Sequence, residues 1–560
     1  MEGIEKQDKF ALGLDLGISQ CRMAIFKGNK FEVIPNEQGN FQTPSYVAFT
    51  NDQILVGEAA KAQLLSNPMN TIYNFKRLIG KSYTELINHV SHYPFKIEQG
   101  IGDRPVIVIC QNNEIKKFYP EEILSILLKD LRRQAEAYLG RKVKEIVVTI
   151  PVYYNKLQIA ATIRSCYDAG FKVLRTIKES QAIALGIYHQ NTNQNDRNLL
   201  IINLGGGSLD VAVITIQEQV FEVRSMYGDN NLGGVDFIEK LIDFVTHEFK
   251  RRNPGENISG NLRAREIIRV ACEKSQEQLS IEREAVISCP NLMPGKDFEI
   301  KIERQMYENL CEDLTARCIP PIVIAIKDAG MGPKDVDEIV LVGDFTRTPM
   351  VQKMITQIFG GKYIRQHDLT SHFYACHGAA LEAAVVQDIS GSQHKNLLQL
   401  DATSRGLGLE VENGRMMIMI PRDSTFPCQK RHAFTTLVEN QSDLDIKIYE
   451  GDNSWTSDNI YLGKFTLGQL QLSQGGSVKV EVVFDVDGNR NLTVTAINTH
   501  TGQQLKARIT PDWLEKVNQQ EKKMPTGANG IKIYQEFKQE VAQMAIQTES
   551  MQALENVEMT

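Results

Sequence analysis

The sequence predicts a two-lobed α/β domain, then an all-β domain, then a short helical tail. Three observations carry this. A hairpin is repeated, as LGLDLGISQCRMAIF (Leu12–Phe26) and LIINLGGGSLDVAVI (Leu200–Ile214), 188 positions apart, with an FEV after each at Phe31–Val33 and Phe221–Val223. Between residue 10 and about 385, short β-rich runs alternate with longer helical patterns, which is the signature of an α/β domain. After residue 390 the texture becomes alternating and turn-rich, as a compact β domain requires.

In chain order, each hairpin copy is an apolar strand, a Gly-rich turn and a second apolar strand. Further strand-like runs are Val106–Cys110, Glu145–Ile150, Leu199–Leu204 and Glu338–Val342. Helical periodicity covers Pro120–Leu139, Leu157–Asp168, Val235–Phe249 and Leu262–Leu279. Asn253–Asn261 (NPGENISGN) is a loop by composition. NLLQLD (Asn396–Asp401) is a short apolar strip that must dock to avoid exposure. From Leu407 to about Ile509 alternation dominates, clearest in Asp445–Tyr449, Ser477–Asp485 and Asn491–Ala496. In the tail, Tyr534, Phe537, Val541, Met544 and Met551 fall near a 3.5-residue spacing that Thr548 interrupts, after a Pro- and Gly-containing joint at Lys522–Asn529. The expected boundaries are 1–388 for the two lobes, 389–401 for a linker, 402–512 for the β domain and 513–560 for the tail.

Composition narrows the function. At 560 residues the length fits three or four domains, and 42% apolar with 23% charged content is ordinary for a globular chain. The net charge of −7 argues against nucleic acid or an anionic membrane as main partner. No apolar run reaches the length of a spanning helix, and the start, MEGIEKQDKF, lacks the apolar core of a secretory signal. Nine cysteines lie scattered without a CxxC pair, and the closest two, Cys311 and Cys318, match neither common zinc ligation nor a disulfide framework. A cytoplasmic or nuclear protein with reduced thiols is expected. The Asn-x-Ser/Thr matches at Asn257, Asn440 and Asn491 are then coincidental.

The repeated turns carry the chemistry. Glycine leaves backbone N–H groups free to close on phosphate oxygens, and two such turns facing each other form a phosphate clamp. In a metal-assisted phosphatase a carboxylate from each turn would orient the metal and its waters. Superposing the copies sets Gly17 on Gly205, Ala24 on Ala212, and Asp15 on Asn203, so the second turn has an amide where the first has an acid.

Several ordered motifs together resemble the seventy-kilodalton heat-shock chaperone family. They are NEQGNFQTPSYVAF (Asn36–Phe49), KRLIG (Lys76–Gly80), VVTIPVYYN (Val147–Asn155), LGGGSLDV (Leu204–Val211), LVGDFTRTP (Leu341–Pro349), GDNSWTSDNIYLGKF (Gly451–Phe465) and FDVDGNRNLTVTA (Phe484–Ala496). The resemblance runs from about Lys9 to about Ile509. It implies an actin-like, two-lobed ATPase domain, a linker, and a β-sandwich that grips extended apolar peptide segments. ATP binding would dock the linker and open the sandwich.

Carried over residue by residue, the resemblance assigns catalytic positions to Asp15, Lys76, Glu179 and Asn203, with magnesium held through water near Asp15. Phosphate and nucleotide positions fall on Gly17, Ile18, Ser19, Gly205, Gly206, Gly207, Ser208, Asp210, Gly233 and Gly234. The nucleoside side falls on Glu273, Gln276, Glu277 and Ser280 of one helix and on Gly343, Asp344 and Arg347 of a later loop; a further acidic position is His372 here. Ile18 lacks the family's hydroxyl, Glu277 lacks its adenine-stacking guanidinium, and Asp344 would repel a polyanion. Loss of one positioned catalytic group commonly costs about 10² to 10⁴ in rate, so ATP binding with impaired hydrolysis is expected.

The peptide cleft maps to Leu407, Leu409, Phe434, Leu444 and Ile446, with Asn491 making its surroundings more polar. The docking run of the linker is Leu397, Leu398 and Leu400, interrupted by Gln399. The long helical lid of the family is replaced by a short tail ending ENVEMT. The expected function is a stress-response chaperone that binds ATP/ADP and unfolded or extended polypeptides, served by J-domain proteins, exchange factors or an active family member. The alternative is a pseudo-ATPase scaffold or an exchange-factor-like co-chaperone in a stable assembly.

Overall fold

The computed structural model describes residues 10–514 apart from short segments, of which 191–195, 361–363, 366–370, 436–441 and 471–477 are the longest. The tail helix expected around Tyr534–Met551 lies outside the described residues.

The sequence repeat becomes a duplicated sheet. In the first lobe the strand order is Lys172–Lys178, Glu145–Ile150, Ala11–Leu16, Gln20–Lys27, Lys30–Ile34. In the second it is Ile364–Arg365, Glu338–Val342, Arg197–Leu204, Leu209–Gln217, Val220–Asp229. Each pairs its hairpin antiparallel and adds parallel strands on the other side. Strands buried on both faces need near-continuous apolar runs, and ALGLDL and RNLLIINL supply them.

Two helices, Glu179–Gln190 and Tyr374–Val386, cross between the lobes. Their approach is set by small residues: a Cβ on Gly378 would fall 1.8 Å from the carbonyl oxygen of Ala182, and one on Gly186 2.4 Å from that of Tyr374. No larger side chain fits this crossing without moving backbone. Pro120 at the first turn and Gly140, at φ 64°, bound the helix Pro120–Leu139 as sequence predicted. Separate apolar cores form under each sheet, with a third between the lobes around the crossing helices.

The β domain is a sandwich of two four-stranded antiparallel sheets. One runs Arg415–Ile420, Leu407–Val411, Leu444–Glu450, Ile460–Leu467; the other runs Cys428–Thr435, Lys479–Val486, Leu492–Asn498, Gln504–Ile509. The apolar strip before it docks as expected: Leu398–Leu400 adds a parallel strand to Val220–Asp229, with Leu398 opposite Val220 and Leu400 opposite Glu222. Gln399 does not break this strand, because its amide donates to the Glu382 carboxylate.

The sandwich is seated on the lobes by polar contacts. Arg490 pairs with Asp401 at 2.5 Å and donates to Gln181 Oε1 at 3.2 Å. The backbone N–H of Lys156 donates to Glu450 at 2.8 Å, and that of Met226 to Asp423 at 3.2 Å. Lys178 donates to Ser404 Oγ and to the Val152 carbonyl, both at 2.7 Å, and burial lowers its ammonium to about 8. Arg422 pairs with Asp328, and Arg405 lies over the Tyr153 ring, 4.2 Å from its centroid.

Candidate functional site

The two Gly turns meet across a cleft at the lobe interface. It is lined by Asp15, Gly17, Ile18, Ser19, Glu179, Asn203, Gly205–Gly207, Ser208, Gly343 and Asp344, all singled out from sequence. His372 also lines it, and so do Arg22, Gln20, Ile183, Val342 and Ala375, which sequence reasoning missed. The cleft encloses about 90 Å³, room for part of a phosphate chain and well below a typical small-molecule pocket of about 300–1,000 Å³.

The turns press together closely. A Cβ on Gly206 would lie 2.0 Å from Ser19 Oγ, and one on Gly207 2.6 Å from Ile18 Cδ1. Ile18 therefore places a methyl group where a hydroxyl would offer a hydrogen bond. Gly343, at φ 89°, lets the following loop approach the Leu204 carbonyl.

Strand geometry aims the acids inward. Asp15 and Asn203 occupy equivalent positions near the ends of their first hairpin strands, and their cross-strand partners are Arg22 and Asp210. Asp15 accepts from Thr149 Oγ1 at 3.2 Å and pairs with Arg22 at 3.5 Å. Burial still raises its carboxyl above the usual range, against the pull of Arg22 and Lys76. Asn203 Nδ2 donates to Glu179 Oε2 at 2.6 Å. Burial, with Asp210 and Asp15 nearby, drives Glu179 well above the ordinary range, toward the neutral acid. Lys76 is buried behind the cleft; burial lowers its ammonium while Cys21, Glu179 and Asp15 sustain the charge.

Other expected site residues stand elsewhere. Asp210 is buried behind the turn, accepts from the Val152 N–H at 3.2 Å, and is pushed by burial to about 7. Gly233 packs on the Gly207 backbone and Gly234 on Phe345, which makes them supports of the turn rather than its lining. Arg347 contacts His372, which also pairs with Asp344 at 3.5 Å, so the acid expected to repel a polyanion has a nearby imidazole.

The helix expected around a nucleoside, Leu262–Ile281, packs into the core of its own lobe and reaches the other lobe through Glu266 and Arg269. Glu273 pairs with Arg269, Gln276 bonds Ser280 at 3.2 Å, and Glu277 is exposed; none of them lines the cleft. Arg269 is buried 4.3 Å from the Tyr73 ring centroid and donates to Glu266, which also accepts from Tyr73 at 2.9 Å. A second clasp joins Arg77 to Asp236 at 2.5 and 2.9 Å and to the Gly207 carbonyl at 2.7 Å. These charge-assisted bonds hold the lobes shut around the turns.

Magnesium held through water near Asp15 was expected, and the carboxylates that would reach those waters are already engaged. Magnesium takes one or two free carboxylates and several waters. Here Asp15 is engaged by a guanidinium, Glu179 accepts from the Asn203 amide, and Asp210 points away into the Val152 N–H. Among the described residues no group of three or more His, Cys, Asp or Glu side chains is arranged to hold a metal ion.

In the sandwich, Leu407, Leu409 and Ile446 are buried in its core, while Phe434 and Leu444 are partly buried at its margin. Asn491 sits in the turn after Lys479–Val486, donating to Asp487 at 2.9 Å, and so does not polarise an apolar pocket. In the linker, Leu397 is buried, while Leu398 is half exposed.

Comparison with known proteins bears on these features together. A family model described as "Hsp70 protein" matches residues 11–559. The heat shock 70 kDa protein of Neurospora crassa is 39% identical over 505 residues, covering 90% of this chain and 78% of the relative. Heat shock 70 kDa protein 2 of Paracoccidioides lutzii is 39% identical over 505 residues, covering 90% and 77%. Heat shock cognate 70 kDa protein 3 of Dictyostelium discoideum is 38% identical over 507 residues, covering 90% and 80%.

Proposed function

Because the chain belongs to the Hsp70 family of seventy-kilodalton heat-shock chaperones, we propose that it binds extended polypeptides under the control of a nucleotide cleft that hydrolyses ATP poorly. Members of this family bind ATP or ADP with magnesium and hold unfolded polypeptide in the β-sandwich. The observation that carries the hydrolysis reading is the Asn203–Glu179 hydrogen bond. An amide donor occupies the place of a second acid and engages the carboxylate that would otherwise position water. Ile18 removes a hydroxyl from the same spot, and the closed lobes favour slow exchange.

Coupling between cleft and sandwich is supported by adjacent residues. Lys178 bonds Ser404 of the sandwich, while its neighbour Glu179 bonds Asn203 of the cleft. Residues 389–401 act as the linker in this reading. The margin residues Phe434 and Leu444 are the accessible part of a peptide site whose deeper members Leu407, Leu409 and Ile446 need the sandwich to open. J-domain proteins and exchange factors are the expected partners, and the cytoplasm the expected compartment.

A second reading, a scaffold or co-chaperone that does not cycle, is favoured by the small cleft and by the commitment of Glu273 to Arg269. ATP affinity and single-turnover hydrolysis, for wild type and Asn203→Asp, separate the two. Binding with slow turnover that Asn203→Asp accelerates by about 10² supports the proposal. Rapid turnover by wild type refutes the impaired site. Absence of binding in both leaves the scaffold.

A further inference from the structure

The second strand of the first hairpin brings an arginine into the cleft. Arg22 is the direct cross-strand partner of Asp15, and the same position of the second hairpin is Asp210, opposite Asn203. The duplicated sheet thus holds an acid–base pair in one copy and an amide–acid pair in the other. Arg22 Nη1 lies 3.5 Å from Asp15 Oδ2, with side-chain exposures of only 12% and 10%. Gln42 Oε1 accepts from Nη2 at 2.9 Å and fixes the guanidinium plane, and the buried Nε has no hydrogen-bond partner among the described residues. The side chain lines the cleft alongside the Gly205–Gly207 turn.

A guanidinium is charged at every accessible pH and presents a fork that matches phosphate oxygens. Set against Asp15 with both side chains nearly buried, it neutralises that carboxylate and repels any dication brought to the same oxygen. This agrees with the engagement of the cleft carboxylates described above.

We propose that Arg22 is the resident counter-cation of this cleft, neutralising Asp15 and a bound polyphosphate in place of a divalent metal. The inference rests on the nucleotide-binding reading above, and makes that binding independent of metal. Arg22 acts as a positioning residue through Asp15 and as a direct phosphate donor.

The test is ATP affinity by calorimetry on the full chain, in magnesium and in excess chelator, for wild type, Arg22→Leu and Arg22→Lys. Wild type is expected to change Kd by less than about threefold on chelation, whereas Arg22→Leu should lose about tenfold or more without metal and recover with it. Arg22→Lys keeps the charge without the fork, so it should bind more weakly than wild type yet stay insensitive to chelation. A loss of tenfold or more by wild type on chelation, or equal metal dependence in wild type and Arg22→Leu, overturns the inference alone. No binding by any protein in either buffer overturns the nucleotide reading, and this inference with it. Should Arg22→Leu fail to fold, as its thermal melt would reveal, Arg22→Lys and wild type decide the matter: metal dependence in both overturns the inference.

Discussion

Acid should release the linker, and the histidines beneath it set how much. His394, on the linker, is only 5% exposed. Its Nε2 lies 3.1 Å from Nδ1 of His189 on the first crossing helix, and its ring stands edge-on to Phe26. His377, on the second crossing helix, stacks on Phe31 with centroids 4.4 Å apart. The titratable groups meeting here are these three histidines, with the Asn29 backbone accepting from His189 and the two phenylalanines filling the remainder. Burial, reinforced by His189, lowers His377 and His394 to about 4, and burial lowers His189 as well. The docked form therefore holds neutral imidazoles, while a released His394 returns to the ordinary value near 6.5. A depressed histidine favours docking fully above about pH 6.5 and progressively less as pH falls toward about 4. At about pH 5.5 the difference for His394 alone is about 1.4 kcal/mol, roughly tenfold in the docking equilibrium. Hydrogen exchange of Leu398–Leu400 and of the paired strand reads this directly, once intrinsic exchange rates at the two pH values are divided out. Wild type should lose about tenfold protection between about pH 7.5 and 5.5, and His394→Leu should not. Equal loss in both proteins, or no loss in wild type, would refute the reasoning.

Two further outcomes follow from the polar contacts. Glu266→Ala removes the shared acceptor of Tyr73 and Arg269 and leaves the buried guanidinium to Glu273 alone, so equilibrium urea unfolding should show a loss of about 1–3 kcal/mol. Arg490→Ala leaves Asp401 buried and unpaired between linker and sandwich; docking should weaken by about 3 kcal/mol, seen as a larger radius of gyration in X-ray scattering with the sheets themselves intact.

Much of the fold was legible because its signals are local. Pro120 and Gly140 bound a helix by their own backbone preferences, and the residues Glu145–Ile150 are apolar enough to be buried on both faces. The linker strip announced itself as apolar surface needing a partner, although only the sheet could reveal that Val220–Glu222 supplies it. The cleft was legible through its glycines and through the Asp15/Asn203 exchange. Arg22 was not, since nothing in RMAIF says which residue it faces. The repeat held the clue: adding 188 to its number gives Asp210, the second cross-strand partner. Glu273 and Glu277 show what spacing alone leaves open: Glu273 is taken up by Arg269 and Glu277 is exposed, and neither lines the cleft. Likewise, alternation put Leu407 and Leu409 on one face without saying whether that face is core or groove.

The linker strand also has a protective consequence. A sheet that stops at Val220–Asp229 would offer a row of unpaired amides and carbonyls to any extended chain. Three linker residues cap the start of that row, with Leu398 half exposed on their outer side. Whatever frees the linker uncovers a template for strand addition on the lobe at the moment the sandwich comes loose. Release and self-association are therefore tied together by construction, and a solution of this protein held in its released form should be the one that clouds.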